Sequence, residues 1–255
     1  KMKIAVISPY YKENQLLLER CINSVSTQTM ECDHFLISDG HPQEWLKKLP
    51  LRHIELGKSH NDFGNTPRGI GGQLAISEGY DAICFLDADN WLDPNHIEEC
   101  FSSVFKKHGS NYLNCDYVIS RRRLCRPDLS VMSLDEEQGL VDTNCFLLLP
   151  GSFYLIPYWN LMPKEFSNIG DRVFYQKILS SNLNYVVNES ITVNYLNLWE
   201  STYQFLGELP PVEAKPNVNG NLGFELFSKK TDVEKKITER MLGLNIGGFK
   251  HEVQL

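Results

Sequence analysis

The sequence predicts an α/β protein: a mostly parallel sheet with helices on both faces, joined to a smaller mixed sheet in the second half. Two observations carry this. Four apolar runs of strand length, "KIAVIS", "HFLISDG", "RHIEL" and "DAICFLD", alternate with segments whose apolar residues recur at helical spacing. Such alternation implies right-handed crossovers, and crossovers of that hand lay successive strands parallel.

The elements follow in order. After "KIAVIS" and the loop "PYYKEN", the stretch "QLLLERCINSV" sets Leu17, Leu18, Cys21, Ile22 and Val25 at helical spacing. "HFLISDG" is a second strand ending in an Asp-Gly turn, "EWLKKL" a short helix and "RHIEL" a third strand. The Gly/Asn-rich loop "GKSHNDFGNTP" leads into a helix from Arg68 to Glu78, and "DAICFLD" is strand four. In "DPNHIEECFSSVF", Asp93 reads as a helix cap and Pro94 as a first-turn residue, with Ile97, Cys100, Phe101, Val104 and Phe105 on one face. From Asp116 the pattern is mixed. "YVISRRRLC" and "NCFLLLP" read as strands, "IGDRVFYQKILSS" as a helix, and "LNYVVNES" and "ITVNYL" as two short strands. The arginines at 121 to 123 suit an exposed edge strand guarded by charge; alternatively Arg121 and Arg123 reach an anion while Arg122 points away. "GELPPVEAKPNVNGNLG" reads as a loop. "TDVEKKITERML" is a helix opened by a capping box, Thr231 to Glu234, with Val233, Ile237 and Met241 as a stripe expected to dock on the body or on a second copy. The expected organisation is a main domain over 1–208, with halves 1–115 and 116–208, and a loop-and-helix extension over 209–255.

Composition narrows the function classes. With 255 residues and 42% hydrophobic content the chain buries a substantial core. A net charge of −7 and a pI near 5.5 exclude a general nucleic-acid binder, so an anion would be held locally by a metal, a few arginines or backbone amides. Seven cysteines, odd in number and without a CxxC pair, read as reduced core residues, and the expectation is a cytoplasmic protein. "IAVIS" is too short for a signal peptide, and the longest apolar run, "CFLLLPGSFYLIPYW", is broken by two prolines and predicts no transmembrane segment.

In an open parallel sheet ligands bind at the carboxyl ends of the strands, where this chain places "SPYYKEN", "SDGH" and "DADN". Asp87 and Asp89 flank Ala88, so in extended backbone both carboxylates project to one side. A divalent cation would resolve their repulsion, and oxygen-only ligation suits Mg²⁺ or Mn²⁺. A solvated turn followed by a helix cap is the competing account. "GIGG" is not a dinucleotide fingerprint, because it lacks the G-x-G-x-x-G spacing and does not directly follow a strand.

"VISPYYKENQLLLERCINSVSTQT", "HFLISDG" and "GNTPRGIGGQLAISEGYDAICFLDADN" follow one another in the order of the landmarks of the family 2 glycosyltransferases of the GT-A fold. The chain resembles that family over residues 3–95, and more loosely to about 200. The resemblance implies a metal-dependent, inverting transfer from a nucleoside-diphosphate sugar, most plausibly UDP-linked, to a carbohydrate or other hydroxyl acceptor. It implies that Pro9, Tyr10 and Tyr11 line the base and ribose pocket, that Asp39 accepts the base N–H, and that Arg68 faces the nucleotide. Asp87 would face ribose and metal, Ala88 would touch the donor, and Asp89 would hold the Mn²⁺ or Mg²⁺ that bridges the diphosphate. Thr143 and Asn144 in "VDTNC" would approach the sugars.

The resemblance implies that Asp171 in "SNIGDRVFYQKIL" is the catalytic base, a group the reaction needs because a sugar hydroxyl attacks well only when a carboxylate takes its proton. Its other account is a first-turn aspartate complementing a helix N-terminus. Trp199 either stacks on a sugar or is buried; the resemblance also implies a late histidine as a further metal ligand, for which His251 is the one candidate after residue 108, its other account being a residue of a disordered tail. Two departures from the family pattern stand out: glycine follows Arg68 where asparagine is usual, and Gly170 stands where a glutamate pairs with the base. Two rivals remain. A sugar-nucleotide nucleotidyltransferase would need a glycine-rich basic loop after strand one, which "SPYYKEN" lacks; a non-catalytic nucleotide-sugar binder would not need Asp171.

Overall fold

The computed structural model describes residues 2–109, 112–134 and 141–248; His251 lies outside them. In chain order the elements are β1 (Ile4–Tyr10), α1 (Gln15–Ser26), β2 (Asp33–Ser38), β3 (Arg52–Glu55), α2 (Asn65–Ser77), β4 (Ala82–Phe85), β5 (Trp91–Leu92) and α3 (His96–His108). There follow β6 (Tyr117–Cys125), β7 (Val131–Leu134), β8 (Phe146–Leu148), α4 (Tyr158–Leu161), α5 (Gly170–Leu179), β9 (Tyr185–Leu196), α6 (Glu200–Leu206), α7 (Leu222–Ser228) and α8 (Asp232–Leu242). One sheet runs β3-β2-β1-β4-β8-β6-β9-β5, with β7 paired to β6. The first four strands are parallel, β8 reverses the direction between β4 and β6, and β9 runs parallel to β6.

Strand alternation divides the core in two. Ala5, Ile7, Ile83 and Phe85 face Trp159, Phe166 and Phe174, whereas Ile4, Val6, Ala82 and Cys84 face Cys21 and Val25 of α1 and Ile97, Cys100 and Phe101 of α3. Trp159 stacks on Phe174 at 4.4 Å and receives the edge of Phe85 at 5.8 Å, an aromatic cluster directly beneath the end of β4. The glycines of "GIGG" let α2 lie close to its neighbours. A Cβ on Gly71 would stand 2.7 Å from both Ile7 Cγ2 and Ile37 Cδ1, and one on Gly72 2.6 Å from Ile156 Cγ2.

Several expectations are corrected. The residues read as two short strands form one strand, β9, whose register against β6 shifts around Ser120, Arg121 and Arg122; the polar "NES" marks that irregularity, not a turn. β6 is therefore an interior strand, and its arginines are internally paired: Arg121 with Glu189, Arg122 with Asp142 and Arg123 with Asp93. Asp93 does not cap α3. Its N–H still donates to Thr192 in the β5–β9 ladder, its carboxylate takes Arg123 and Asn194, and Asn95 holds the cap position with no side-chain bond. Helices α6 and α7 were not anticipated, because each is a single short piece of 7 residues with no extended periodicity. α8 has its capping box, but it docks through buried Thr238 and Leu242, leaving Val233 and Ile237 67% and 60% exposed. Phe227, Leu242 and Ile246 belong to the same core as Phe166 and Phe174, so the segment expected as an extension completes the main body. All seven cysteines are free thiols, six of them buried.

Candidate active site

Asp39 ends β2 and is buried, with its own N–H donating to the Tyr10 carbonyl. Its carboxylate is clasped by the loop that precedes α2. It accepts the His60 N–H (2.9 Å), His60 Nδ1 (3.0 Å), the Asn61 N–H (3.2 Å) and Ser59 Oγ (3.2 Å). Burial on its own would raise the pKa; the four hydrogen bonds outweigh it and hold the carboxyl below its ordinary value. Gly40 is required here. It has φ +78°, and a Cβ would stand 2.3 Å from the Ser59 nitrogen, so a side chain would push the clasping loop away.

At the end of β4 the repulsion between Asp87 and Asp89 is answered by two cations of the chain itself. Arg68, 3% exposed in the first turn of α2, donates from Nη2 to Asp87 Oδ1 at 2.6 Å and from Nη1 to Asn65 Oδ1 at 3.1 Å, and its guanidinium lies over Trp159 at 4.7 Å. Asn144 brackets Asp87 from the second half: its Oδ1 accepts the Asp87 N–H at 2.6 Å and its Nδ2 donates to Asp87 Oδ2 at 3.1 Å. The same Nδ2 reaches Asp142 Oδ1 at 2.5 Å, and Asp142 Oδ2 takes Arg122 Nη1 at 2.7 Å. A continuous polar chain thus runs Arg68–Asp87–Asn144–Asp142–Arg122 across the seam made by β8. The expectation that Asp87 is an open metal ligand is modified accordingly, since both its oxygens already accept protein hydrogen bonds.

Asp89 is different. Among the described residues its carboxylate forms an ion pair with Lys215, with Nζ 3.6 Å from Oδ2, while Arg20, whose charge also acts on Asp89, donates from Nη2 to the backbone carbonyl at 2.7 Å. Burial pushes the Asp89 pKa up to about 6, Asp87 and Glu13 adding to the rise and Lys215 opposing it. No three acidic, His or Cys side chains converge as a metal cage among the described residues. One partly exposed carboxylate with acceptor capacity fits Mg²⁺ or Mn²⁺ held jointly with substrate phosphates, the usual arrangement for Mg²⁺, better than a protein-only site.

Asp171, in the first turn of α5, accepts the N–H of Arg172 at 2.8 Å. Burial pushes its pKa up to about 6, and Asp142 adds to the rise against Arg172 and Arg122. Both departures from the family pattern have a packing reason. A Cβ on Gly170 would stand 2.7 Å from Asn65 Oδ1, so the room of a paired glutamate is taken by the amide that also holds Arg68. A Cβ on Gly69, the position after the arginine, would stand 2.2 Å from Asn160 Oδ1.

The other expected residues divide. Pro9 is buried beside Gly64, which has φ +80° and would place a Cβ 2.9 Å from Pro9 Cγ. Tyr11 is 36% exposed with its ring edge-on to His41 at 4.6 Å. Tyr10 points the other way: it is 2% exposed and its hydroxyl sits between His53 Nε2 (2.8 Å) and the Gln43 N–H (3.1 Å), because alternate residues of β1 face opposite sides. Its ring belongs to a small core with Leu18, Leu36 and Leu46. Ala88 is buried in that same small core, and Thr143 and Asn144 form a buried turn before β8. Trp199 donates from Nε1 to the Tyr195 hydroxyl at 3.0 Å. Asn65, Asp142, Arg122 and Lys215 went unrecognised as site residues; only Asp142, two before Asn144 in "VDTNC", carried a local signal.

A parallel sheet with acidic strand ends, continued through a reversed strand into a mixed half, is the GT-A architecture. The family model described as glycosyl transferase family 2 matches residues 5–166, more than half of the chain, and the chain belongs to that family. It is a glycosyltransferase; Asp171 and Lys215 lie beyond the matched stretch. Among solved structures the chain is similar to S. aureus TarS 1-349 in complex with UDP-GlcNAc, with a TM-score of 0.60 and 15% identity over 100% of this chain and 77% of that one. TarS 1-349 with UDP gives 0.57 and 15% over 100% and 76%, and the longer S. aureus TarS chain 0.56 and 14% over 100% and 46%. These identities establish a shared fold. No curated protein matches the chain in sequence. Among the described residues no helix is long and apolar enough to cross a membrane.

Proposed function

We propose that the chain transfers a sugar from a nucleoside diphosphate, most plausibly UDP, to an acceptor hydroxyl with inversion at the anomeric carbon. The observation that carries this reading is that three groups with separate chemistry follow the carboxyl ends of parallel strands, along one edge of the sheet. A buried carboxylate (Asp39) suits the base N–H provided that it exchanges one of the four hydrogen bonds of its clasp for it, an arginine-paired carboxylate (Asp87) suits the ribose, and a carboxylate with acceptor capacity (Asp89) suits a cation. The similarity to S. aureus TarS, solved in complex with UDP and with UDP-GlcNAc, supports the choice of nucleotide.

In this reading Pro9, Tyr11, Ala88 and Asp39 receive base and ribose, Arg68 fixes Asp87, and Asn144 spans donor and acceptor halves. Mg²⁺ or Mn²⁺ bound with the donor supplies charge neutralisation for the departing diphosphate, and Asp89 is the residue that would hold it. Asp171 takes the acceptor proton as the acceptor oxygen bonds the anomeric carbon. The bond from that carbon to the diphosphate breaks with its electron pair leaving on the diphosphate, and no covalent sugar–enzyme bond forms. Calorimetric titration of UDP with and without Mn²⁺, on wild type and Asp89→Ala, tests the site. The expected result is tight binding only for wild type with Mn²⁺; equal affinities in all four titrations would refute it.

A further inference from the structure

The loop between α6 and α7 carries a residue that neither the family match nor the strand ends account for. Lys215 is held by its backbone: its N–H donates to the Leu198 carbonyl at 2.7 Å and its carbonyl accepts the Glu200 N–H at 3.1 Å, forming a bridge with Trp199. Trp199 is in turn tied to Tyr195 of β9. This anchoring aims the side chain at Asp89, where Nζ stands 3.6 Å from Oδ2. That separation is too long for a hydrogen bond, so the contact is coulombic and without direction. The ammonium remains half exposed, on a flexible four-carbon stem with three donors to offer. The second cation near Asp89, Arg20, is held in a different way, with Nη2 on the Asp89 carbonyl and its plane over Trp91 at 4.1 Å, so its guanidinium is fixed where the Lys215 ammonium is not.

We propose that Lys215 is a further donor-binding residue: its ammonium neutralises Asp89 while the cleft is empty and passes to the donor's diphosphate when a divalent cation takes Asp89. The physical argument is a charge count. With no cation bound, Lys215 is the positive charge on a carboxylate that lies next to Asp87. Were Asp89 to hold a divalent ion, the ammonium would lose its partner there by charge repulsion, and the donor's diphosphate would offer it an anionic one. Two consequences of opposite sign follow. Removing the ammonium strengthens binding of the divalent ion alone, because a competitor is lost, and weakens binding of the nucleotide diphosphate, because a donor is lost.

This inference rests on the donor reading above, and the test separates the two. UDP binding in saturating Mn²⁺ and Mn²⁺ binding without nucleotide, the latter by electron paramagnetic resonance of the free ion, are measured for wild type, Lys215→Met and Lys215→Arg. Lys215→Met is expected to weaken UDP by about tenfold and to tighten Mn²⁺ severalfold, with Lys215→Arg retaining UDP affinity because a guanidinium also meets phosphate. Lys215→Met with unchanged UDP affinity, or with Mn²⁺ binding no tighter than wild type, overturns the role of Lys215. Wild type that fails to bind UDP at all overturns the donor reading instead.

Discussion

A carboxyl group with a pKa near 6 is poised to serve as a base at neutral pH, and its cost to stability is the counterpart of that use. Asp171 accepts a proton only when ionised, so turnover is expected to rise with pH through about 6. The charged groups that set this value are Asp142, which raises it, and Arg172 and Arg122, which lower it. In the proposed reading Asp171→Asn is expected to cut kcat by about 10²–10⁴-fold, while UDP affinity stays at the wild-type value. The stability effect has a definite sign. The folded-state pKa stands above the unfolded value, so the folded state binds the extra proton between the two, and stability falls as pH rises from about 4 through about 6. Asp171→Asn removes that loss: at pH 8 it should be more stable than wild type by about 1–2 kcal/mol, allowing for partial exposure, and at pH 4 the difference should vanish. Thermal melts at the two pH values check this, and a variant less stable than wild type at pH 8 contradicts it.

At the scale of elements, α2 transmits packing into chemistry. Its first turn carries Arg68 and Asn65, and its glycine face lies on β1 and β2. Gly71→Ala would drive a methyl to 2.7 Å from Ile7 and Ile37, so the helix must lift from the sheet and take Arg68 away from Asp87. A destabilisation of about 1–3 kcal/mol is expected from such overpacking, together with weaker UDP binding, although residue 71 touches no ligand in the proposed site. Denaturant titration and calorimetry read the two effects; loss of stability with donor affinity intact would uncouple helix position from the site. The first four strands and their helices were legible because each is a local pattern of apolar spacing and short connection. β9 was not, since its polar "NES" signals a turn locally and becomes a register shift only against β6. For the same reason Asp93 read as a cap: nothing local reveals that Arg123 and Asn194 compete for its carboxylate.

At the scale of the whole molecule, the carboxyl-terminal helices close the core on which α2, α4 and α5 rest. Phe227 packs at 5.9 Å from Phe166, and Leu242 and Ile246 join the same cluster. Phe227→Ala should therefore cost about 3–4 kcal/mol in a single cooperative unfolding transition. An early separate transition, with the main one unmoved, would show instead that 209–248 folds as an appendage.

Sequence by itself determined the parallel half and the strand-end positions of Asp39, Asp87 and Asp89, because periodicity and strand-end chemistry are written in neighbouring residues, and the order of its motifs carried the resemblance to a glycosyltransferase family. The tertiary structure alone decided which charges meet. Arg68 neutralises Asp87, Lys215 comes to Asp89 from 126 positions further along the chain, and Asn65 fills the room beside Gly170. Coulombic pairing and side-chain volume act through space, and separation along the chain carries no record of either.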